Sequence, residues 1–248
     1  MRRLLFLLPI LHAQAAIENS GAPMRVPFTC TSESMQTAGL ACSEEEPCPV
    51  YLELSGIEAV GNRIFLAGNL HSATITLDSI LLATEDAGKT WTEPHERLRF
   101  TALDQIQFID FETGWISGHM VQGIPRDPFF LVTSDGGKTW RQSLVFEDGR
   151  AGVIERFRFE SRTRGTMLLG TGLRKRHELY ASMTGGESWT PQQVSDQPIR
   201  WPHSEDGEQQ AWRIHADAKT HSFQIEKRQP ERWQAVGSFL VDAARCTQ

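Results

Sequence analysis

The chain has 248 residues, with 25 Lys and Arg against 31 Asp and Glu, for a formal charge of −6. A mildly acidic balance excludes general nucleic-acid binding, because neutralising phosphates needs a net basic face. The length suits one large all-β domain, since such folds run undivided to roughly 200–250 residues.

At the N-terminus, Met1-Arg2-Arg3 precedes an apolar run from Leu4 to Leu11 and the small-x-small pattern Ala13-Gln14-Ala15. This pattern predicts a secretory signal peptide over 1–15, and hence a periplasmic or secreted protein. The apolar run is too short for a bilayer span, which needs roughly 20 residues, and no later stretch approaches that length. Residues 16–50 form an N-terminal segment that holds Cys30, Cys42 and Cys48, with Cys246 at the far end. Val26 to Cys30 has strand character, while Ser32 to Pro47 is polar and acidic and predicts a loop. Four cysteines in an oxidising compartment allow three disulfide pairings. Sequence spacing favours Cys42–Cys48 around a short acidic loop, with Cys30–Cys246 tying the termini. No histidine lies near them at ligand spacing, so a zinc site is not expected.

From Tyr51 to the C-terminus a module repeats. In the first, Tyr51–Leu54 and Ile57–Val60 alternate apolar residues, Gly61-Asn62 turns, Arg63–Gly68 returns, and Ser79–Thr84 leads into Thr84-Glu85-Asp86-Ala87-Gly88-Lys89-Thr90-Trp91. The second has strands at 106–110, 115–118 and 129–133, then Thr133-Ser134-Asp135-Gly136-Gly137-Lys138-Thr139-Trp140. The third has strands at 154–159, 166–170 and 178–182, then Ser182-Met183-Thr184-Gly185-Gly186-Glu187-Ser188-Trp189. The tryptophans recur at 49 residues, 140 − 91 and 189 − 140. A fourth module is eroded: 211–215 and 222–226 are strands, Trp233 closes it, and the glycine and aspartate are gone. A period of this length predicts a propeller, in which radial packing protects sheet edges. The expected fold is therefore all-β, a β-propeller of about four four-stranded blades with the last degenerate and no helix after residue 15.

The residue types of the repeated stretch suit a turn. Gly88, Gly137 and Gly186 permit positive φ, and Asp86 and Asp135 can accept from turn N–H groups. Trp91, Trp140 and Trp189 bury area beneath. A metal or catalytic role for the aspartates is disfavoured, because Thr184 stands at the aspartate place in the third copy.

This S/T-x-D-x-G-x-T/S-W signature resembles the Asp-box, or BNR repeat, which in that family joins the third and fourth strands of a blade. The module grammar resembles the photosystem II stability/assembly factor-like family over 52–195, and more weakly over 205–241. That resemblance implies a propeller, export, and a protein-binding or assembly role without catalysis. Members commonly have seven blades, so four modules imply either a small closed ring or an open arc that a second copy could complete as a homodimer. Asp-boxes also occur in sialidases and other glycosidases, which makes a carbohydrate-binding or glycoside-hydrolysing propeller the alternative. Sialidases use a tyrosine nucleophile beside an acid, with an arginine triad introduced by Phe/Tyr-Arg-Ile-Pro. That motif is absent, and both tyrosines, Tyr51 and Tyr180, fall on predicted strands.

Partner-facing residues are expected on the face opposite the signature turns. They are His71, His119, Arg126, the basic cluster Arg174-Lys175-Arg176-His177, and Arg200 and Trp201 in a polar loop that continues to His203. No catalytic set, phosphate loop, metal-ligand spacing or cofactor motif stands out.

Overall fold

The computed structural model describes residues 16–171, 176–202 and 211–247. The predicted signal peptide, Arg174, Lys175 and His203 lie outside the described residues.

The described chain begins with an arm, β1 (Ile17–Glu18), followed by a short helix α1 (Ser32–Thr37). The helix corrects two expectations: Ser32–Thr37 is not loop, and Val26–Cys30 is not a strand. Its causes are local. Thr31 caps it by accepting from the Ser34 N–H at 3.1 Å, Met35 points its side chain into the core, and Gly39 ends it at φ 68°.

Blade one comprises β2 (Cys48–Val60), β3 (Arg63–His71), β4 (Thr76–Thr84) and the two-residue β5 (Thr90–Trp91). The two apolar runs of β2 are one strand, bent by a bulge between Leu54 and Gly56. Gly61, at φ 66°, makes the tight turn to β3. Blade two comprises β6 (Thr101–Phe108), β7 (Gly114–Met120), β8 (Arg126–Thr133) and β9 (Arg141–Leu144). Blade three comprises β10 (Val153–Phe159), β11 (Gly165–Thr171), β12 (Arg176–Ser182) and β13 (Thr190–Ser195). Blade four has three strands rather than four: β14 (Trp212–Asp217), β15 (Ser222–Arg228) and β16 (Trp233–Leu240). The chain ends in β17 (Asp242–Cys246), which pairs with the start of β2 on the side away from β3.

Every strand pairing within the blades is antiparallel. The molecule is an all-β protein of propeller blades. Three buried clusters hold the blades together. One joins blade four to blade one through Ile225, Phe239, Leu66, Leu82 and Trp91. The second joins one to two through Phe65, Leu81, Ile116 and Trp140. The third joins two to three through Trp115, Phe130, Phe159 and Leu169. No such cluster among the described residues joins three to four, so the blades follow an arc in the order four, one, two, three.

Side chains at the two ends of the arc explain where it stops. Register places Phe65, Trp115 and Thr166 at corresponding positions, each one residue after the partner of the signature's first residue. Phe65 and Trp115 receive the next blade's turn: a Cβ added at Gly137 would meet Phe65 at 2.5 Å, and the Trp115 Nε1–H donates to Gly185 O at 2.9 Å. Thr166 presents no such ring. On blade four, alternation puts Arg213, His215, Gln224 and Glu226 on the side opposite Ile214 and Ile225. A polar outer face is what a terminal repeat needs for solubility.

The arm and the disulfides secure the junction of blades four and one. Ile17 pairs with Trp91. The Asn19 Nδ2 donates to Gly88 O at 2.8 Å and Val236 O at 2.9 Å, one on each blade. Cys30 bonds to Cys246 and Cys42 to Cys48.

Candidate functional site

The repeated turns are built as clamps. In the first, the Asp86 carboxylate accepts from the N–H groups of Lys89 and Thr90 at 3.0 and 2.9 Å, and from both the Thr84 and Thr90 hydroxyls. Thr84 Oγ1 accepts from the Gly88 N–H, and the Trp91 indole donates to Gly88 O. Asp135 repeats this set with Lys138, Thr139 and Thr133, as does Trp140 with Gly137. These hydrogen bonds hold both carboxyls far below the usual range, at about 2. In the third turn, Thr184 Oγ1 accepts from the Ser188 N–H at 2.9 Å and so replaces part of the carboxylate's work. Both oxygens of each aspartate are engaged by the turn itself.

At the opposite ends of the strands, the structure separates the sequence candidates. His71 ends β3 beside Tyr51, with its Nδ1 2.9 Å from Ser72 O. His119 is buried against Asp104, with Nδ1 3.0 Å from the carboxylate. Arg126 is exposed and 3.6 Å from Asp127. Arg200 is exposed, and Trp201 beside it is half-buried. Among the described candidates, Arg176 and His177 are neighbours at the start of β12, each beside a carboxylate. His177 Nδ1 lies 3.2 Å from Glu155, and Arg176 Nε lies 3.0 Å from Glu178.

Glu178 was not foreseen, nor was Arg150 as its partner. Glu178 is 2 % exposed, at the register position where blades one and two bury Ile80 and Phe129. Arg150 reaches it from the connection between blades at 2.6 Å, and the Tyr180 hydroxyl donates to it at 2.5 Å. Arg150 also lies over the Phe146 ring at 4.6 Å. A buried carboxylate is tolerated because the Arg150 guanidinium and the Tyr180 phenol hydrogen-bond to it and the Arg176 guanidinium lies beside it as an ion pair. A strand-face glutamate two residues before a tyrosine was the available signal. Burial and the hydrogen bond to Glu178 push the Tyr180 phenol up, away from phenolate.

A separate concavity lies among the inner strands. A cavity of about 1030 Å³ runs between β2, β6 and β14, lined by Ile57, Glu58, Gln105, Ile106, Trp212 and Arg213, among others. It mixes aliphatic walls with polar groups, the usual character of a recognition site. Among the described residues, no group of His, Cys, Asp and Glu is arranged to hold a metal ion, and no helix is long and apolar enough to cross a membrane.

These features define a β-propeller with a cavity along its inner strands. No family model matches the chain. Among solved structures, "YCF48 from Cyanidioschyzon merolae" is similar at 23 % identity and TM-score 0.39, over 58 % of this chain and 38 % of that one. "YCF48 bound to D1 peptide" is similar at 17 % identity and TM-score 0.42, over 78 % of this chain and 54 % of that one. Among curated proteins, an oligoxyloglucan-reducing end-specific xyloglucanase of Emericella nidulans is 33 % identical over 78 residues. That stretch is 31 % of this chain and 9 % of the relative's length.

Proposed function

We propose that this chain is an exported, non-catalytic propeller of the Asp-box type that binds a protein partner, acting as an assembly or stability factor. The observation that carries the reading is the inner cavity, because three blades contribute strands to it and its walls mix aliphatic and polar groups. The groups nearest to catalytic chemistry support it too. Glu178, Tyr180 and Arg150 are consumed by one another, and the turn aspartates are consumed by their turns. Export would follow from cleavage after Ala15, which leaves Ala16 beside the arm strand that pairs with Trp91.

The test is affinity capture with the full chain from the periplasmic or secreted fraction, with N-terminal sequencing of the bait. The expected result is one stoichiometric protein partner and a bait that starts at Ala16. Failure to recover a partner, together with turnover of a chromogenic glycoside panel or retention on a glycan array, would replace this reading with the carbohydrate one.

A further inference from the structure

Among the described residues, two strand edges meet the inner cavity without a strand beside them. The Arg228 N–H donates to Ala211 O at 2.7 Å, which fixes the phase of the β14–β15 ladder. With the register Trp212↔Lys227 to Asp217↔Ser222, the hydrogen-bonded pairs are those of Arg213, His215 and Asp217. The N–H and C=O groups of Trp212, Ile214 and Ala216 therefore point away from β15. All three residues line the cavity. On β2, the two-residue turn at Gly61-Asn62 makes Val60↔Arg63 a bonded pair. Alternation then turns the backbone groups of Ile57 and Ala59 away from β3, into the same cavity. β17 and the residue before it cover only the first part of β2, to Leu52.

The outer edges of blades one, three and four are blunted. Blade three's outer strand carries Pro191. The arm covers the outer edges of blades one and four, pairing with Trp91 and, through Met24, with Phe239. The edges of β14 and of β2 beyond Leu52 carry no proline.

We propose that the partner enters this cavity as an extended peptide and adds a strand to the free edge of β14, facing the free edge of β2. This rests on the partner-binding reading above. The chemistry specifies the class of ligand. Backbone donors and acceptors repeat every second residue along an edge of about 20 Å, at a rise of about 3.3 Å per residue. That spacing matches another polypeptide in extended form. Ile57, Ile106 and Ile214 supply aliphatic wall, so the peptide carries β-branched or small apolar side chains at alternate positions.

The experiment uses a phage-displayed random 12-residue peptide library selected on the full chain, with enriched sequences synthesised and their affinities measured by fluorescence polarisation. Two perturbations read the edge. Ala216→Pro removes one outward N–H that the fold does not use, and Ala216→Thr keeps it. The expected result is a loss of about tenfold or more with Ala216→Pro and little change with Ala216→Thr, at unchanged melting temperature. Methylating alternate peptide amides should abolish binding to the wild-type chain in one phase and spare it in the other, which needs no variant of the protein. Peptides that bind regardless of methylation phase and of Ala216→Pro would overturn the strand-edge proposal and leave partner binding standing. A library with no enriched sequence would also overturn it, while affinity capture would decide the broader reading separately.

Discussion

Replacing Trp91 by alanine tests the arc directly. Trp91 is fully buried where blade one meets blade four. Its ring meets Phe239 edge-on at 5.3 Å, and its indole N–H donates to Gly88 O at 3.2 Å. A buried tryptophan removes roughly 150–250 Å² from water. At about 25 cal/mol per Å² this amounts to a loss of roughly 4–6 kcal/mol as an upper bound, and truncations of this kind cost about 3–5 kcal/mol. Trp189 holds the equivalent place in blade three but is only partly buried, so Trp189→Ala should cost clearly less. Guanidinium denaturation followed by far-ultraviolet circular dichroism measures both variants. A loss below about 1 kcal/mol for Trp91→Ala, or an equal loss for the two, would refute the assignment of Trp91 to a buried blade junction.

Other consequences are as direct. Asp86 and Asp135 have folded pKa values of about 2, depressed from 3.8. Their contribution is therefore fully present above about pH 4 and is lost as the pH falls towards 2, so an acid titration of tryptophan fluorescence should show a limb there that the double Asp→Asn variant flattens. Ala87 sits at φ 58°, where the other two turns use Gly136 and Gly185; Ala87→Gly should stabilise by roughly 0.5–1 kcal/mol in thermal unfolding, because the left-handed region penalises a Cβ. Cys30–Cys246 spans 216 residues and Cys42–Cys48 spans 6; chain entropy predicts losses of roughly 5 and 2 kcal/mol for the paired Cys→Ser variants, compared by denaturant midpoint. Glu178→Ala leaves Arg150 and Arg176 without their shared carboxylate and should cost about 1–3 kcal/mol, moderated because both guanidiniums are partly solvated.

Much of the fold was legible because its signal is local and repeated. The signature at 84–91 and 133–140 needs only its own eight residues to close the turn, and the interval of 49 places the blades. Helix α1 was missed because six residues give no helical period; only Thr31 as cap and Gly39 as stop mark it. The candidate sites were less legible, because burial there depends on neighbours distant in sequence. His119 reads as a loop-face histidine until Asp104 is brought against it. Glu178 reads as a polar strand residue until Arg150 arrives from the connection between blades two and three. The order of the arc was equally hidden, since it depends on whether an aromatic at the place of Thr166 receives a following turn.

The three turns and the cavity divide stability from recognition along the same strands. A turn that engages both aspartate oxygens, a threonine hydroxyl and an indole N–H directs its polar groups inward, and in the third copy Thr184 supplies part of the same acceptor work. The inner strands are the reverse case. Their outward backbone groups on Trp212, Ile214, Ala216, Ile57 and Ala59 are left open by the fold, and water is their alternative partner. In a closed small ring those edges would face neighbouring inner strands across a narrow channel. An arc whose outer faces end in Thr166 on one side and in Arg213 and Glu226 on the other leaves the edges accessible. The eroded fourth blade, which first reads as decay of the repeat, is then the element that gives the cavity its open wall.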